Sequence, residues 1–306
     1  MPRFSIVIPC FNAASTLAET LNSITAQVFT DWEALCVDDG SCDGTRELIE
    51  DYQNRDPRIQ LLRNPGKGPS AARNFGALTA ARGNILCFCD ADDIWTPDKL
   101  GQLDHQFRLH DLDGIYAKVG FFRTAPGDGH RQSTVKPNPL TIRDMLSENP
   151  VCTLSNFSLR KSCFDAIGGF DPGFVHNEDL DLLVRLLGAG AVIRGMDTLQ
   201  VWYRCSPDGL SSNLQEMERS RRAVVERART FGVQSDAKAE AAYLRYLARR
   251  SLRLKSHRFQ ALALTLRGIS HSPSGFFDPL HRGAGTAAAS IAALALPQTL
   301  RSTLFS

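Results

Sequence analysis

Ser5-Ile6-Val7-Ile8 is a short, β-branched run ended by Pro9, and it predicts a buried first strand. An amphipathic stretch follows, with apolar residues at helical spacing between Asn12 and Val28. The alternation continues with further strand-like runs, separated by helical ones, at Trp32–Val37, Ile59–Arg63 and Asn84–Cys89. Strands and helices that alternate with short connections form βαβ units, so we expect an α/β fold with a mostly parallel sheet flanked by helices.

The bulk composition is that of an ordinary globular protein and limits the classes of function. The 306 residues include 43% hydrophobic and 22% charged residues, which suits one large α/β domain, or one of about 200–220 residues plus a tail. A net charge of only +2 argues against a general nucleic-acid binder. The eight cysteines form no CxxC pair, which favours a reducing cytosol over a disulfide scaffold. We also expect neither a signal peptide nor a membrane-spanning helix, and therefore a cytoplasmic protein.

Polar motifs follow each of the predicted strands in the first hundred residues. Asn12 follows the first strand, Asp38-Asp39 the second, Lys67 the third and Asp90-Ala91-Asp92-Asp93 the fourth. The carboxyl ends of parallel strands lie at one edge of the sheet, and α/β proteins bind their ligands there. The sequence therefore predicts a binding site at this edge.

Asp90-Ala91-Asp92-Asp93 places three carboxylates within four residues, and these repel one another unless a positive charge lies among them. Mg²⁺ and Mn²⁺ bind oxygen ligands, often one or two carboxylates together with substrate phosphates. A metal at this position would stabilise a diphosphate as a leaving group. The alternative is an exposed acidic turn or helix N-cap, since Pro97 and Asp98 follow.

Three other motifs each allow two interpretations. Asp38-Asp39-Gly40-Ser41 is either a turn with an N-cap or a carboxylate that recognises a nucleobase. Lys67, Arg73 and Asn74 either neutralise phosphate and contact the base, or form a solvated helix start. Glu178-Asp179 opens an apolar helix, where acidic residues suit the helix dipole, or else supplies a general base for an acceptor hydroxyl.

The character of the chain changes near Asn213. The stretches Arg219–Arg229 and Ala237–Arg258 are helical and rich in arginine, and Gly285–Leu300 is rich in alanine. No strand pattern occurs there, so we expect a helical C-terminal region. Its helices either pack on the core or on another subunit, or contact an anionic membrane surface.

The order and spacing of the motifs over residues 3–215 resemble those of family 2 glycosyltransferases. The motifs that carry the resemblance are Ser5-Ile6-Val7-Ile8-Pro9-Cys10-Phe11-Asn12, Val37-Asp38-Asp39-Gly40-Ser41-Cys42-Asp43-Gly44-Thr45, Gly68-Pro69-Ser70-Ala71-Ala72-Arg73-Asn74, Asp90-Ala91-Asp92-Asp93, Gly168-Gly169-Phe170-Asp171 and Asn177-Glu178-Asp179-Leu180-Asp181. One such motif is weak evidence, whereas their succession in order is strong evidence. The helical C-terminal region is not covered with comparable specificity.

The resemblance implies a GT-A fold, a Rossmann-like fold of nucleotide-diphospho-sugar transferases with a mixed, mostly parallel sheet. It also implies metal-dependent, inverting transfer from a nucleoside-diphosphate sugar, with UDP favoured and Mn²⁺ or Mg²⁺ as cofactor. Residues 1–212 would form the catalytic domain, with 1–100 as its nucleotide-binding half and 101–212 as its acceptor-binding half. Residues 213–306 would form the helical C-terminal region.

The resemblance also assigns roles to single residues. Asp179 would be the catalytic base, with Glu178 beside it at the acceptor. Asp92 would be the direct metal ligand, assisted by Asp90. The nucleotide sugar would lie against Pro9, Asn12, Asp38, Asp39, Lys67, Arg73, Asn74, Asp90, Ala91 and Arg204.

One segment departs from the family pattern. Many relatives carry Tyr-Arg-x-His after the catalytic helix, and that histidine reaches the metal or the diphosphate. This chain has Tyr203-Arg204-Cys205-Ser206, with Ser206 in the histidine position. We therefore expect a weaker grip on the metal, or water in its coordination shell.

Two other classes of protein compete with this interpretation. A sugar nucleotidyltransferase would carry a glycine-rich loop with an arginine after the first strand, where this chain has Pro9-Cys10-Phe11-Asn12. A non-catalytic nucleotide-sugar-binding protein would not need both Asp92 and Asp179. The expected partners are a nucleotide-sugar donor and a saccharide or lipid-linked saccharide acceptor in surface polysaccharide or glycoconjugate synthesis. Homo-oligomerisation and peripheral contact with the inner face of the membrane are further expectations.

Overall fold

The computed structural model describes residues 1–129, 131–205, 213–254 and 258–296. They fall into two compact units. The first comprises Met1–Leu140 and Pro150–Cys205, and the second comprises Thr141–Asn149 and the described residues after Cys205. The strands all belong to the first unit, and it also contains every predicted site residue.

The first unit is built on one sheet. Its strands are β1 (Phe4–Cys10), β2 (Trp32–Asp38), β3 (Ile59–Arg63), β4 (Ile85–Phe88), β5 (Ile94–Trp95), β6 (Gly114–Phe122), β7 (Ser158–Arg160) and β8 (Ile193–Arg204). Their order across the sheet is β3-β2-β1-β4-β7-β6-β8-β5. The four strands predicted from the first ninety residues are neighbours and run parallel. The pairs β4–β7, β7–β6 and β5–β8 are antiparallel, so the sheet is mixed, as expected.

Helices connect these strands and build the second unit. They are α1 (Leu17–Thr25), α2 (Thr45–Arg55), α3 (Pro69–Asn74), α4 (Lys99–Leu109), α5 (Ile142–Met145), α6 (Lys161–Ala166), α7 (Glu178–Gly188), α8 (Leu214–Thr230), α9 (Ala237–Arg253), α10 (Arg258–His271), α11 (Pro273–Phe276) and α12 (Leu280–Ala295). A π-helical segment, Phe75–Ala80, continues α3. The first helix is shorter than the predicted stretch from Asn12 to Val28. It has Thr16 as its N-cap and ends at Thr25, and Asn12 lies before it in a left-handed conformation with a φ of 48°.

Apolar side chains on both faces of the parallel strands form the core of the first unit. Residues at every position of β1 from Phe4 to Ile8 are buried, as expected for a strand covered on both sides. Phe88 on β4 packs against Phe170, with ring centroids 5.3 Å apart, and Phe164 of α6 lies 5.6 Å from both rings. This aromatic cluster fixes the segment that leads from α6 into α7.

The second unit is helical, as the C-terminal sequence predicts. It comprises α5 and the helices α8 to α12. Glu148, which follows α5, accepts from three arginines, at 3.5 Å from Arg245, 3.2 Å from Arg249 and 3.4 Å from Arg282. Arg221 pairs with Glu240 at 3.0 Å. Many of the arginines in this region therefore hold the unit together instead of facing solvent unpaired.

Across the described ranges, no helix combines the length and the apolar character that a membrane crossing requires. No disulfide links any of the eight cysteines in the described part of the chain.

The contact between Gly76 and the sheet allows a test of the fold. A Cβ atom added at Gly76 would lie 2.5 Å from Cγ1 of Val7 and 3.2 Å from Cγ2 of Val37. Gly76→Ala should therefore lower the free energy of unfolding by about 1–3 kcal/mol through overpacking. Urea denaturation followed by circular dichroism measures this loss. Gly101→Ala in α4 is the matched control, since no heavy atom lies within 4 Å of its added Cβ. That variant should gain about 0.5–1 kcal/mol from helix propensity, and equal effects of the two variants would contradict the packing described for Gly76.

Candidate active site

The loops after β1 and β2 are tied to each other by hydrogen bonds. Asn12 Oδ1 accepts from the Cys42 N–H at 2.9 Å, and the Asn12 N–H donates to Ser41 Oγ at 3.0 Å. The left-handed backbone of Asn12 turns the chain so that both bonds form, and asparagine tolerates that conformation better than most residues. Pro9 precedes this loop on β1, opposite Val37. The residues predicted to bind the nucleotide here thus also build the loops.

Asp38 and Asp39 have different surroundings although they are adjacent. Asp38 is buried, and its carboxylate accepts from the backbone N–H groups of Gly40 at 3.2 Å and Ser41 at 3.1 Å, which shapes its own turn. Asp39 is half-buried and accepts from Asn64 Nδ2 at 2.6 Å and from the Gly68 N–H at 2.9 Å. Both carboxylates therefore organise loops at the sheet edge.

Lys67 lies close to the same loop. Its Nζ donates to the backbone carbonyl of Asp39 at 2.9 Å and lies 5.8 Å from the centroid of the Phe11 ring. Phe11 is 57% exposed at the end of β1. A cation and an exposed aromatic ring thus face the same end of the parallel strands.

Arg73 is the buried centre of the site. Its Nη2 bonds to Asp90 Oδ1 at 2.7 Å and its Nη1 to Glu178 Oε1 at 3.1 Å. The guanidinium also lies 5.7 Å from the Phe170 ring, and its Nε is buried without a hydrogen-bond partner. One side chain from α3 thereby joins the end of β4 to the start of α7.

Asn74, the next residue, is hydrogen-bonded to the backbone of Phe170, which precedes α7. Its Nδ2 donates to the Phe170 carbonyl at 2.9 Å, and its Oδ1 accepts from the Phe170 N–H at 2.8 Å. Gly169 has a φ of 75°, and a Cβ there would lie 2.5 Å from Asn74 Oδ1. Both ends of the amide are used in these bonds, so Asn74 positions the segment that carries the later carboxylates.

Two residues that the motifs did not single out hold the acidic cluster. Thr153 Oγ1 lies 3.3 Å from Asp90 Oδ2 and 3.4 Å from Asp93 Oδ2. Ser155 Oγ accepts from the Asp90 N–H at 2.8 Å. Both are buried and lie in a short segment between α5 and β7 that has no motif of its own. Only the fold brings this segment to the end of β4.

The residues of the acidic cluster point in different directions. Asp93 is fully buried and accepts from the Arg204 N–H at 3.1 Å. The Ala91 carbonyl accepts from Thr16 Oγ1 at 3.0 Å. Asp92 is half-buried, and no side chain of the described residues donates a hydrogen bond to its carboxylate. Burial, together with the neighbouring charge of Asp90, raises the pKa of Asp92 to about 6.

Arg204, at the end of β8, forms hydrogen bonds beside this acidic cluster. Its Nε donates to the Asp92 carbonyl at 3.0 Å and its Nη2 to Glu19 Oε2 at 3.0 Å. The guanidinium lies 4.6 Å from the Phe122 ring centroid. Ser206, where the family pattern has histidine, lies outside the described residues.

Glu178 and Asp179 form the first turn of α7, after Asn177 in a left-handed conformation with a φ of 56°. Burial raises the pKa of Asp179 to about 7, and the negative charge of Glu178 contributes to the rise. The charge of Arg73 opposes it. A carboxyl group with a pKa near neutrality is suited to accept a proton at physiological pH.

The charges of the site fit a divalent cation. Five acidic residues, Asp90, Asp92, Asp93, Glu178 and Asp179, come together here. Arg73 pairs with two of them, and Arg204 bonds to the backbone of Asp92. Within the described ranges, no three or more His, Cys, Asp or Glu side chains are grouped to hold a metal. A metal at Asp92 and Asp90 would therefore draw its other ligands from substrate phosphates and water, the usual arrangement for Mg²⁺.

Comparisons with known proteins agree with this architecture. Residues 5–168 match the family model "Glycosyl transferase family 2". The chain is 30% identical over 220 residues to the Escherichia coli UDP-Glc:alpha-D-GlcNAc-diphosphoundecaprenol beta-1,3-glucosyltransferase WfgD, covering 70% of this chain and 82% of the relative.

Two solved structures share the fold. Staphylococcus aureus TarS in complex with UDP-GlcNAc has a TM-score of 0.59 at 19% identity, covering 96% of this chain and 81% of TarS. A mannosyltransferase from Pyrobaculum calidifontis in complex with GDP-Man and Mn²⁺ has a TM-score of 0.55 at 18% identity, covering 99% and 84%. The GT-A fold implied by the motifs is confirmed.

The bridge formed by Arg73 predicts a large effect on stability. Arg73→Met would leave Asp90 and Glu178 without their shared cation, so the free energy of unfolding should fall by about 3–5 kcal/mol at neutral pH. Urea denaturation measures the loss. Arg55→Met serves as control, because Arg55 is 72% exposed and 3.9 Å from Asp51. Its effect should stay within about 1 kcal/mol, and a similarly small effect at Arg73 would contradict the bridging role.

The environment of Asp179 predicts how it titrates. Its carboxyl group should lose its proton as the pH rises through about 7, well above its ordinary pKa of 3.8. Carbon-13 NMR of carboxyl-labelled protein measures this titration, with Asp179→Asn to assign the signal. Glu178→Gln removes a negative charge and should lower the pKa of Asp179, although burial keeps it above the ordinary value. An unchanged titration in Glu178→Gln would show that the two carboxylates do not interact.

Proposed function

Because this chain belongs to glycosyl transferase family 2, we propose that it transfers one sugar from a nucleoside-diphosphate sugar to an acceptor hydroxyl with inversion at the sugar. The observation that supports this most directly is the arrangement around Arg73. It joins a carboxylate at the end of β4 to the first turn of α7, where Asp179 has a pKa of about 7. The carboxylate near the leaving diphosphate and the neighbour of the proposed base thus share one cation.

The nucleotide of the donor lies at the ends of β1, β2 and β3 in this proposal. Asp39, Lys67 and Phe11 meet there and offer a carboxylate, a cation and an aromatic face. Pro9, Asn12 and Asp38 form the loops against which it rests. Asn74 supports the same site from α3 by holding the backbone of Phe170. UDP is the favoured nucleotide, since WfgD is named for a UDP-glucose donor and TarS was solved with UDP-GlcNAc.

The diphosphate lies at Asp90, Ala91, Asp92 and Arg204 in the same proposal. Asp92 is the first ligand for Mn²⁺ or Mg²⁺, and Asp90 assists. A bound divalent ion would neutralise the charge that develops on the departing diphosphate. Arg204 faces the same segment through its bond to the Asp92 carbonyl, 3.0 Å long. The related mannosyltransferase with Mn²⁺ supports the choice of metal.

Asp179 acts as the general base. Its ionised carboxylate accepts the proton of the acceptor hydroxyl, whose oxygen bonds to the anomeric carbon while the bond from that carbon to the diphosphate breaks. One such in-line displacement inverts the configuration. Glu178 contributes by raising the pKa of Asp179 and by holding Arg73. The base is active only when ionised, so its contribution grows as the pH rises through about 7.

The acceptor is a saccharide or a lipid-linked saccharide in surface polysaccharide or glycoconjugate synthesis. The lipid-linked form finds support in WfgD, whose name specifies a diphosphoundecaprenol-linked sugar. The same proposal places the enzyme in the cytoplasm, at the inner face of the membrane. Residues 1–212 form its catalytic domain, and residues 213–306 form a helical region for membrane association or self-association.

Two substitutions test the division of labour between metal and base. Asp179→Asn should reduce kcat by about 10²–10⁴-fold with little change in donor binding. Asp92→Asn should instead weaken activation by Mn²⁺ and raise the KM of the donor. Release of nucleoside diphosphate from a panel of UDP-, GDP- and dTDP-sugars, titrated with Mn²⁺, measures both effects. Full turnover in Asp179→Asn would refute its role as base. A chain that binds the donors and never releases nucleoside diphosphate would be a binding protein, not a transferase.

A further inference from the structure

Two helices of the second unit turn large apolar side chains to solvent. Phe259 and Leu266 on α10 are 60% and 58% exposed, and Leu280 and Ile291 on α12 are 70% and 61% exposed. The first pair is seven residues apart and the second eleven, which corresponds to about two and three helical turns. The two members of each pair therefore lie on one face of their helix. We call these faces the α10 stripe and the α12 stripe.

The stripes lie opposite the faces with which the two helices pack. On α10 the buried residues include Ala261 and Thr265, and on α12 they include Ser290 and Ala293. Thr265 Oγ1 and Ser290 Oγ are hydrogen-bonded at 2.9 Å. The stripes thus take no part in the core of the unit.

The exposed side of α12 contains no Lys, Arg, Asp or Glu. Between its two large residues and up to the end of the helix, the other exposed positions of α12 are His281, Ala284, Gly285, Ala288, Ala292 and Ala295. Arg282 is the only Lys, Arg, Asp or Glu residue of α12, and it pairs with Glu148. A solvated helix of a globular protein normally has a polar outer face, so an apolar one indicates a partner.

The charge of the chain is unevenly divided between the two units. By sequence, residues 141–149 and 206–306 contain 16 Lys and Arg against 9 Asp and Glu, whereas the rest of the chain contains 19 against 24. The ion pairs at Glu148 and Glu240 neutralise acidic residues of the second unit and leave its cationic excess of seven in place. An excess of this kind attracts anionic surfaces and repels a second copy of the same unit.

We propose that the α10 and α12 stripes bind the surface of an anionic phospholipid bilayer, with the apolar side chains entering the headgroup region and the cationic excess drawn to the lipid phosphates. Helices that combine an apolar face with positive charge bind anionic membrane surfaces, and they lie in the plane of the membrane without crossing it. The lack of a helix suited to a membrane crossing in the described ranges agrees with such a peripheral mode. The inference rests on the proposed function, because that function supplies the lipid-linked acceptor. Binding to the bilayer would bring the enzyme to the surface that holds this acceptor.

Co-sedimentation of the full chain with lipid vesicles tests the inference. We expect binding to vesicles of phosphatidylglycerol mixed with phosphatidylcholine, weak binding to phosphatidylcholine alone, and a loss of binding as salt is raised. Ile291→Ser with Leu280→Ser should reduce binding by about tenfold or more, because each removes a large apolar side chain from the interface. Phe259→Ser with Leu266→Ser tests the α10 stripe in the same way.

Leu109→Ser is the matched control. Leu109 is an apolar residue with the same exposed fraction as Ile291, 61%, at the end of α4 in the first unit. It should leave vesicle binding unchanged. Thermal denaturation of each variant shows whether it folds, and Mn²⁺-dependent nucleotide binding should persist in all of them. If the unmodified chain neither bound nucleotide nor turned over a nucleotide sugar, the proposed function would be wrong. Vesicle binding is measured separately, so this result would not decide the membrane inference.

Three outcomes would overturn the inference. The first is equal binding of the unmodified chain to both kinds of vesicle. The second is unchanged binding in both double variants. The third is a dimer in sedimentation velocity that Ile291→Ser with Leu280→Ser dissociates, with no vesicle binding, which would assign the α12 stripe to self-association.

Discussion

The buried guanidinium of Arg73 is the constraint on which the site depends. Burying a cation is costly unless carboxylates pair with it, and here Asp90 and Glu178 do so at 2.7 and 3.1 Å. These two residues come from the end of β4 and the start of α7, which are far apart in the sequence. Correct pairing of Arg73 is possible only when both elements are in place, so the end of β4 and the start of α7 form this part of the structure together.

The carboxylates near this cation differ in their hydrogen-bond partners and in their burial. Asp90 uses one oxygen on Arg73 and faces Thr153 with the other, while Asp93 is buried behind it. Burial raises the pKa of Asp92, Asp93 and Asp179. These buried carboxyl groups therefore hold a proton more readily than an exposed aspartate does, whereas the carboxylate of Asp90 is paired with a cation.

The sequence predicted the parallel strands, the confirmed fold and the positions of the motifs, because strand ends and motif order are properties of local pattern. It did not predict what each side chain contacts. Asp38 turns to the N–H groups of its own turn and Asn74 to the backbone of Phe170, which depends on loop dihedrals that no periodicity reveals. Thr153 and Ser155 lie in a segment without a motif and reach Asp90 only through the antiparallel strand β7. The arginines of the C-terminal helices were predicted as helical, but their partner Glu148 lies about a hundred residues earlier.

The pairing of Asn74 with Gly169 and Phe170 has a consequence for how this chain can vary during evolution. A side chain at position 169 would collide with the Asn74 amide, and a shorter residue at position 74 would leave both backbone groups of Phe170 without partners. Each change alone is therefore expected to destabilise the turn before α7. The two positions constrain each other through packing and hydrogen bonding, independently of any contact with substrate.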